Sequence, residues 1–279
     1  METLPYENAS VFHSPEFNKV VEEVLGKKVE INLGESYYVV HPDKKFKLLK
    51  INYCPDPRLG CVYGGILGNK NIIKKLKGFW HITTAPGEDI SEYLKAGFKS
   101  RERFTSILEF DKVDDLWMNL RRQTRNRVNK SKKAGVEIVK SDDIDIYYKI
   151  LKETYDRSGI DIKPKEYYKQ ILDKLGDLFL AMYEGKPIAG AIYLKYNGTA
   201  CSWNSCSLKE YFNLCANNYL QYHYLEWAKE NGLKRFDFLT LDVPSIAEWK
   251  EGFGGERIKF YTLLSKPLYY LKKIKDIVK

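Results

Sequence analysis

Apolar residues recur along the chain with two periods, and the switches between them mark out the elements. In "SPEFNKVVEEVL" (residues 14–25), Phe17, Val20, Val21 and Val24 share one face at helical spacing. Ser14 stands as N-cap, Pro15 at the first helical position, and Gly26 as the stop. Period-two alternation around residues 30–31, 36–40 and 45–52 predicts strands. "CPDPRLGCVYGGILG" is too dense in Pro and Gly for regular structure. Beyond it come a short helix in "NKNIIKKLKG", a strand in "FWHITTAP", a helix in "EDISEYLKAGF" and a strand over 102–110. One long helix is predicted over 111–135. Asp111 or Asp114 caps it, Leu116, Trp117, Leu120, Thr124 and Val128 face inward, and Gly135 ends it.

The pattern then changes. "VEIVKS" reads as a strand, and two helices follow in "DIDIYYKILKETYDRSG" and "PKEYYKQILDKLG". Glu184-Gly185 and Asn197-Gly198 separate three apolar runs, and Asn-Gly is among the strongest hairpin signals, so an antiparallel meander is predicted. A long helix over 214–231, the strand "LKRFDFLTL", a helix holding Lys250, the strand "RIKFYTLLS" and a basic terminal helix complete the chain. The two halves share a grammar of helices and short strands. The expected fold class is α+β, with two related lobes over 1–135 and 136–279 and mixed, largely antiparallel sheets flanked by helices.

With 279 residues, 44% of them apolar and 14% aromatic, the chain is long enough and apolar enough for a packed core. No apolar run approaches the roughly 20 residues that span a bilayer. "METLPYENASVF" has neither the basic region nor the apolar core of a signal peptide, so a cytoplasmic location is expected. Cys54, Cys61, Cys201, Cys206 and Cys215 form no Cys-x-x-Cys pair and suggest no disulfide framework. The four histidines are scattered, so no metal is expected. Charge is the sharper signal: of a net +9, the window "RRQTRNRVNKSKK" (121–133) holds seven cations and no anion. Such a helix forgoes acidic i,i+4 partners, which points to an anionic companion. At the C-terminus, Leu271, Ile274 and Val278 share a face flanked by lysines, a pattern suited to peripheral membrane contact.

Several phrases carry a resemblance. "KAGFKSRERFTSILEF", "LWMNLRRQTRNRVNKSKKAGV", "YDRSG", "FLAMYEGKPIAGAIYLKY", "ANNYLQYHYLEWAKENGLKRFDF" and "WKEGFGGE" run in order over residues 94–263. Together they resemble the FemA/FemB/FemX aminoacyltransferases, which have GNAT-like domains and build the peptide bridges of cell-wall precursors. The resemblance implies two GNAT-like lobes without a helical arm. It also implies an aminoacyl-tRNA donor, a nucleotide- or lipid-linked wall precursor as acceptor, and no cofactor. Lys250 matches the lysine to which the family assigns charge neutralisation of the acyl-transfer intermediate. Amine attack on an ester makes a tetrahedral oxyanion, and one fixed donor there is worth about 3–4 kcal/mol.

By the same resemblance Arg125 and Arg127, with Lys132 and Lys133 behind them, are candidates for precursor phosphates. Tyr211 is a candidate to line the acceptor groove or simply to pack, and Asn217, which matches the family's Asn before the long helix, is a candidate for substrate contact and at least as much for helix capping. Gly254 and Gly255 are expected to let the backbone approach a large substrate. Asp237 matches a family aspartate, though Leu239 and Thr240 stand where glycines are usual. Two alternatives remain. One is a GNAT N-acyltransferase using acyl-CoA, although "KEYFNLCANNYL" lacks the glycines of the usual pyrophosphate turn. The other is a non-catalytic member binding RNA or a membrane surface.

Overall fold

The computed structural model describes residues 4–45 and 49–277. In chain order the elements are α1 (Pro15–Leu25), β1 (Glu30–Asn32), β2 (Ser36–Lys45), β3 (Leu49–Cys54), β4 (Leu67–Gly68), β5 (Phe79–Thr83), α2 (Ser91–Lys95) and β6 (Lys99–Glu109). There follow α3 (Leu116–Asn119), α4 (Arg122–Lys133), β7 (Glu137–Ser141), α5 (Ile144–Ser158), α6 (Lys165–Leu175), β8 (Gly176–Tyr183), β9 (Lys186–Tyr196) and β10 (Thr199–Ser207). The last are α7 (Ala216–Glu230), β11 (Arg235–Thr240), α8 (Pro244–Glu251), β12 (Glu256–Leu264) and α9 (Lys266–Ile277). The fold is mixed α/β, with largely antiparallel sheets and flanking helices, as the patterning predicts.

Two compact units form: Met1–Thr105 with Ile258–Lys279, and Ser106–Arg257. The expected division at residue 135 therefore differs from the one found. The reason lies in the basic helix. Val128 is fully buried in a cluster with Leu220, Phe238 and Phe253, so α4 belongs to the core of the second unit.

In the first unit the sheet runs β1-β2-β3-β5-β12, with β3 and β5 parallel and the other pairs antiparallel. Its core gathers Tyr38, Val40, Ile66, Trp80, Ile82, Tyr93 and Leu263. Ser14 caps α1 by accepting from the Phe17 N–H, and Gly26 ends it in the left-handed region. The strand expected over 45–52 is in fact the end of β2 and the start of β3, and residues 46–48 lie outside the described residues. Val278 lies outside them too.

In the second unit the sheet runs β11-β10-β9-β8-β7. The meander β8-β9-β10 is antiparallel, and β11 joins β10 in parallel. Both meander turns have positive φ at their two central residues, Glu184-Gly185 and Asn197-Gly198, as a two-residue hairpin requires. Tyr193 stacks on Tyr224 of α7 at 3.6 Å and 10°, and Phe179 and Phe236 edge against them.

The single helix expected over 111–135 is two helices. Asp115, not Asp111 or Asp114, caps α3, accepting from Trp117 and Met118 N–H at 2.7 and 3.1 Å. The chain then turns extended at Leu120, whose side chain is buried, and the Arg121 N–H goes to the Gly252 carbonyl at 2.9 Å. That bond cannot coexist with a continuous helix. Among the described residues, no helix is long and apolar enough to cross a membrane.

Candidate functional site

One open cleft in the second unit is lined by residues of α4, β9, β10, α7 and α8 and of the turn before α7. β10 follows β9 in register to Ser202, slips past Trp203 and resumes at Asn204, and this bulge re-aims the end of the strand. Ser205 and Ser207 then line a cleft of about 560 Å³. After β10 a 3-10 turn over Lys209–Leu214 brings in Tyr211 and Phe212, and Cys215 turns the chain into α7 with φ 56° and ψ 31°. The first turn of α7 faces the cleft with Ala216, Asn217 and Asn218, α4 contributes Arg127, and α8 contributes Ser245, Ile246 and Trp249.

The start of α7 supplies an unclaimed side-chain donor and an unclaimed side-chain acceptor among the described residues. No side chain caps the helix, so Asn217 is not its cap; Asn217 Nδ2 donates to Ser207 Oγ at 3.3 Å. Asn217 Oδ1 and Asn218 Nδ2 are buried without a hydrogen-bond partner among the described residues, although Asn218 is only 6% exposed. The first N–H groups of a helix have no intrahelical acceptor and carry a positive dipole end. Arg127, half-buried in the same cleft, has no ion-pair partner among the described residues. Cation, helix terminus and free amide N–H together suit an anionic or carbonyl-rich ligand.

Lys250 sits on the same helix as Trp249, one position on, and turns to the end of β11. Its ammonium donates to the Thr240 carbonyl at 2.8 Å. Burial pushes its pKa down to about 8, while Asp237, Asp242 and Cys201 pull the other way. Asp237 is buried, and desolvation raises its carboxyl to about 7 against the opposing pull of the Leu239 N–H and Lys250. Asp237 Oδ1 accepts that Leu239 N–H at 2.8 Å, and Leu239 itself lies in the left-handed region at φ 58°. A branched residue there costs about 1–2 kcal/mol, which the surrounding packing must offset. Leu239 thus adopts the conformation a glycine would take without strain, and Cys215 does the same before α7.

The remaining predicted residues are placed differently. Arg125 is turned back on α3, its guanidinium donating to Leu120 and Met118 carbonyls at 2.6 and 3.1 Å. It closes the carbonyls freed where the helix breaks. Lys132 lies over three rings, Trp117, Tyr219 and Tyr222, at 5.6, 5.1 and 5.1 Å. Lys133 is exposed on the same helix and does not line the cleft. The glycines serve the fold: a Cβ on Gly254 would stand 2.2 Å from Asn119 Nδ2, and one on Gly255 2.4 Å from Ser106 Oγ. Their backbone approaches the protein's own chain, and Gly254 also needs φ +82°.

Of the sequence candidates, then, the cleft unites Arg127, Tyr211 and Asn217, with Lys250 and Asp237 beside each other at the β11 end. Asn218, Ser205, Ser207 and Trp249 join it without having been singled out. The alternation of β10 marks Ser205 and Ser207 as sharing one face, and that was the available signal. Among the described residues no three His, Cys, Asp or Glu side chains stand together to hold a metal.

Comparison with known proteins bears on the fold. Residues 118–251 match the acetyltransferase (GNAT) domain family. FemX shares the fold at a TM-score of 0.72 and 16% identity, covering 96% of this chain and 95% of that one. L-PGS from Bacillus licheniformis gives a TM-score of 0.64 at 12% identity, over 99% and 97% of the two chains. The C-terminal domain of a putative lysylphosphatidylglycerol synthetase from Agrobacterium fabrum gives 0.66 at 10%, over 90% and 87%. No curated protein sequence matches the chain.

Proposed function

From a FemX-type, GNAT-like fold with an acyltransferase domain as premise, we propose that the chain is an aminoacyltransferase. It moves an amino acid from aminoacyl-tRNA to an amino group of a cell-wall peptide precursor. The observation that carries this reading is Lys250, a half-buried cation on α8, whose Ser245, Ile246 and Trp249 line the cleft; its ammonium donates to a backbone carbonyl at 2.8 Å and, among the described residues, makes no salt bridge. A lysine so placed keeps its charge for a group that arrives.

In the reaction, the nitrogen lone pair of the acceptor amine forms the new C–N bond at the ester carbon. The carbonyl oxygen becomes an oxyanion, which the Lys250 ammonium neutralises. As the C–O bond breaks, the 3′-oxygen leaves with the bonding pair and takes up the proton shed by the amine. Positioning does much of the remaining work. Arg127, the α7 terminus and Asn218 bind the phosphate or carbonyl groups that accompany the reacting ester.

Acyl-CoA as donor is the second reading, and one observation favours it. Cys215 reaches the left-handed turn before α7 that the glycine-free sequence argued against, so a pyrophosphate could lie on those N–H groups. A transfer assay separates the two. Purified protein is given an amine-bearing wall precursor and, in parallel, labelled aminoacyl-tRNA or labelled acetyl-CoA. Label is expected to move from tRNA alone, with Lys250→Ala lowering kcat by about 10²–10³ and leaving the fold intact. Transfer from acetyl-CoA alone would establish the second reading, and an unimpaired Lys250→Ala would remove the role given to that lysine.

A further inference from the structure

α9, in the first unit, is anchored at its start and exposed over residues 270–274. Leu268 is buried against Ile51 and Tyr53, and from Tyr270 onward every residue with a described side chain is exposed. Three of these are large and apolar: Tyr270 at 49%, Leu271 at 39% and Ile274 at 60% exposure. At 100° per residue they fall with Pro267 within one narrow arc of the helix. No other element presents three such side chains within five residues among the described residues.

The flanks of that arc are basic. Lys266 and Lys273 project on one side, the latter over the Tyr269 ring at 5.5 Å, and Lys272 on the other. Residues 266–279 hold five lysines and a single aspartate. Two copies of such a helix meeting face to face would bring like charges together, whereas an anionic surface neutralises them. We propose that α9 docks on anionic lipid bilayers, lying in the interface with Tyr270, Leu271 and Ile274 inserted and the lysines on the headgroups. The proposal is independent of the donor and acceptor assigned above, and its test involves no transfer reaction.

The test is co-sedimentation of the full chain with vesicles of phosphatidylcholine alone or of phosphatidylcholine mixed with phosphatidylglycerol. Binding is expected to the mixed vesicles only and to weaken with salt. Leu271→Glu with Ile274→Glu changes two exposed side chains and leaves the circular dichroism unchanged. It should weaken binding at least tenfold, as should Lys266→Gln with Lys273→Gln. Equal binding to both vesicles, none to either, or full binding by the Leu271→Glu/Ile274→Glu variant would overturn the proposal. So would a dimer at sedimentation equilibrium that this variant abolishes, because the face would then belong to a second copy.

Discussion

Each unit holds a half-buried lysine near a carboxylate, and the two pairs are finished differently. In the first unit Lys70 pairs with Glu88 and also donates to the Ile66 carbonyl, while Tyr93 OH and the Ala85 N–H reach the same carboxylate at 3.0 and 3.2 Å. Every oxygen of Glu88 is claimed by the protein. In the second unit Lys250 has a carbonyl and two carboxylates, Asp237 and Asp242, in its neighbourhood but no salt bridge within 4 Å among the described residues. A closed network holds the fold, and an open one keeps charge available to a ligand. Buried charge marks a site only where the protein leaves its partnering incomplete.

The sharpest way to break this contrast is Lys70→Ala. It leaves the Glu88 carboxylate, whose side chain is only 4% exposed, with its two neutral donors and no cation. A loss of about 2–3 kcal/mol is expected, because Lys70 is itself partly exposed and a fully buried pair would cost more. Urea denaturation should show it as a lower midpoint with an unchanged slope. The folded fraction should retain its transfer rate. Unchanged stability would mean that the closed network holds nothing.

The next contrast lies within the basic helix, between two arginines two residues apart. Arg125 is spent on the carbonyls at the end of α3, and Arg127 faces the cleft without an ion-pair partner among the described residues. Arg125→Ala should therefore lower stability by about 1–2 kcal/mol, since the bond to the Leu120 carbonyl is part-buried, and leave substrate affinity alone. Arg127→Ala should leave the melting temperature within a degree or so and raise the donor or acceptor KM about tenfold, with a weaker salt dependence. Exchange of the two phenotypes would reverse the assignment.

That pair also shows what the sequence could and could not reveal. The cationic run at 121–133 was legible as a basic helix, and the hairpin turns and the α1 cap follow from local chemistry alone. What each cation does was not legible, because it depends on the break at Leu120, and that break is made by Gly252, more than 130 residues away. The glycines of "GFGG" were visible as a demand for close approach, but not that Asn119 and Ser106 are what they approach. Leu239 and Cys215 concealed their left-handed turns, since neither residue type advertises one. Asn218 was hidden by burial, which periodicity assigns to the core without saying that the amide lacks a partner.

The smallest expected effect is a shift in pH dependence, and it tests the open pair directly. Lys250 must be protonated to neutralise an oxyanion, and with its pKa lowered to about 8 the transfer rate should fall as pH rises through that value. Asp237 opposes that lowering, so Asp237→Asn should move the alkaline limb further down, by less than one pH unit, since burial is the larger influence on both groups. Stability carries the opposite signature for the two partners. Asp237, raised from 3.8 to about 7, contributes stability at low pH that is lost as pH rises from about 4 to 7. Lys250, lowered from 10.5 to about 8, costs stability while charged, and that cost is relieved as pH rises from about 8 to 10. A limb that does not move in Asp237→Asn would mean that Asp237 holds the β11 turn through Leu239 and leaves the charge of Lys250 to solvent and substrate.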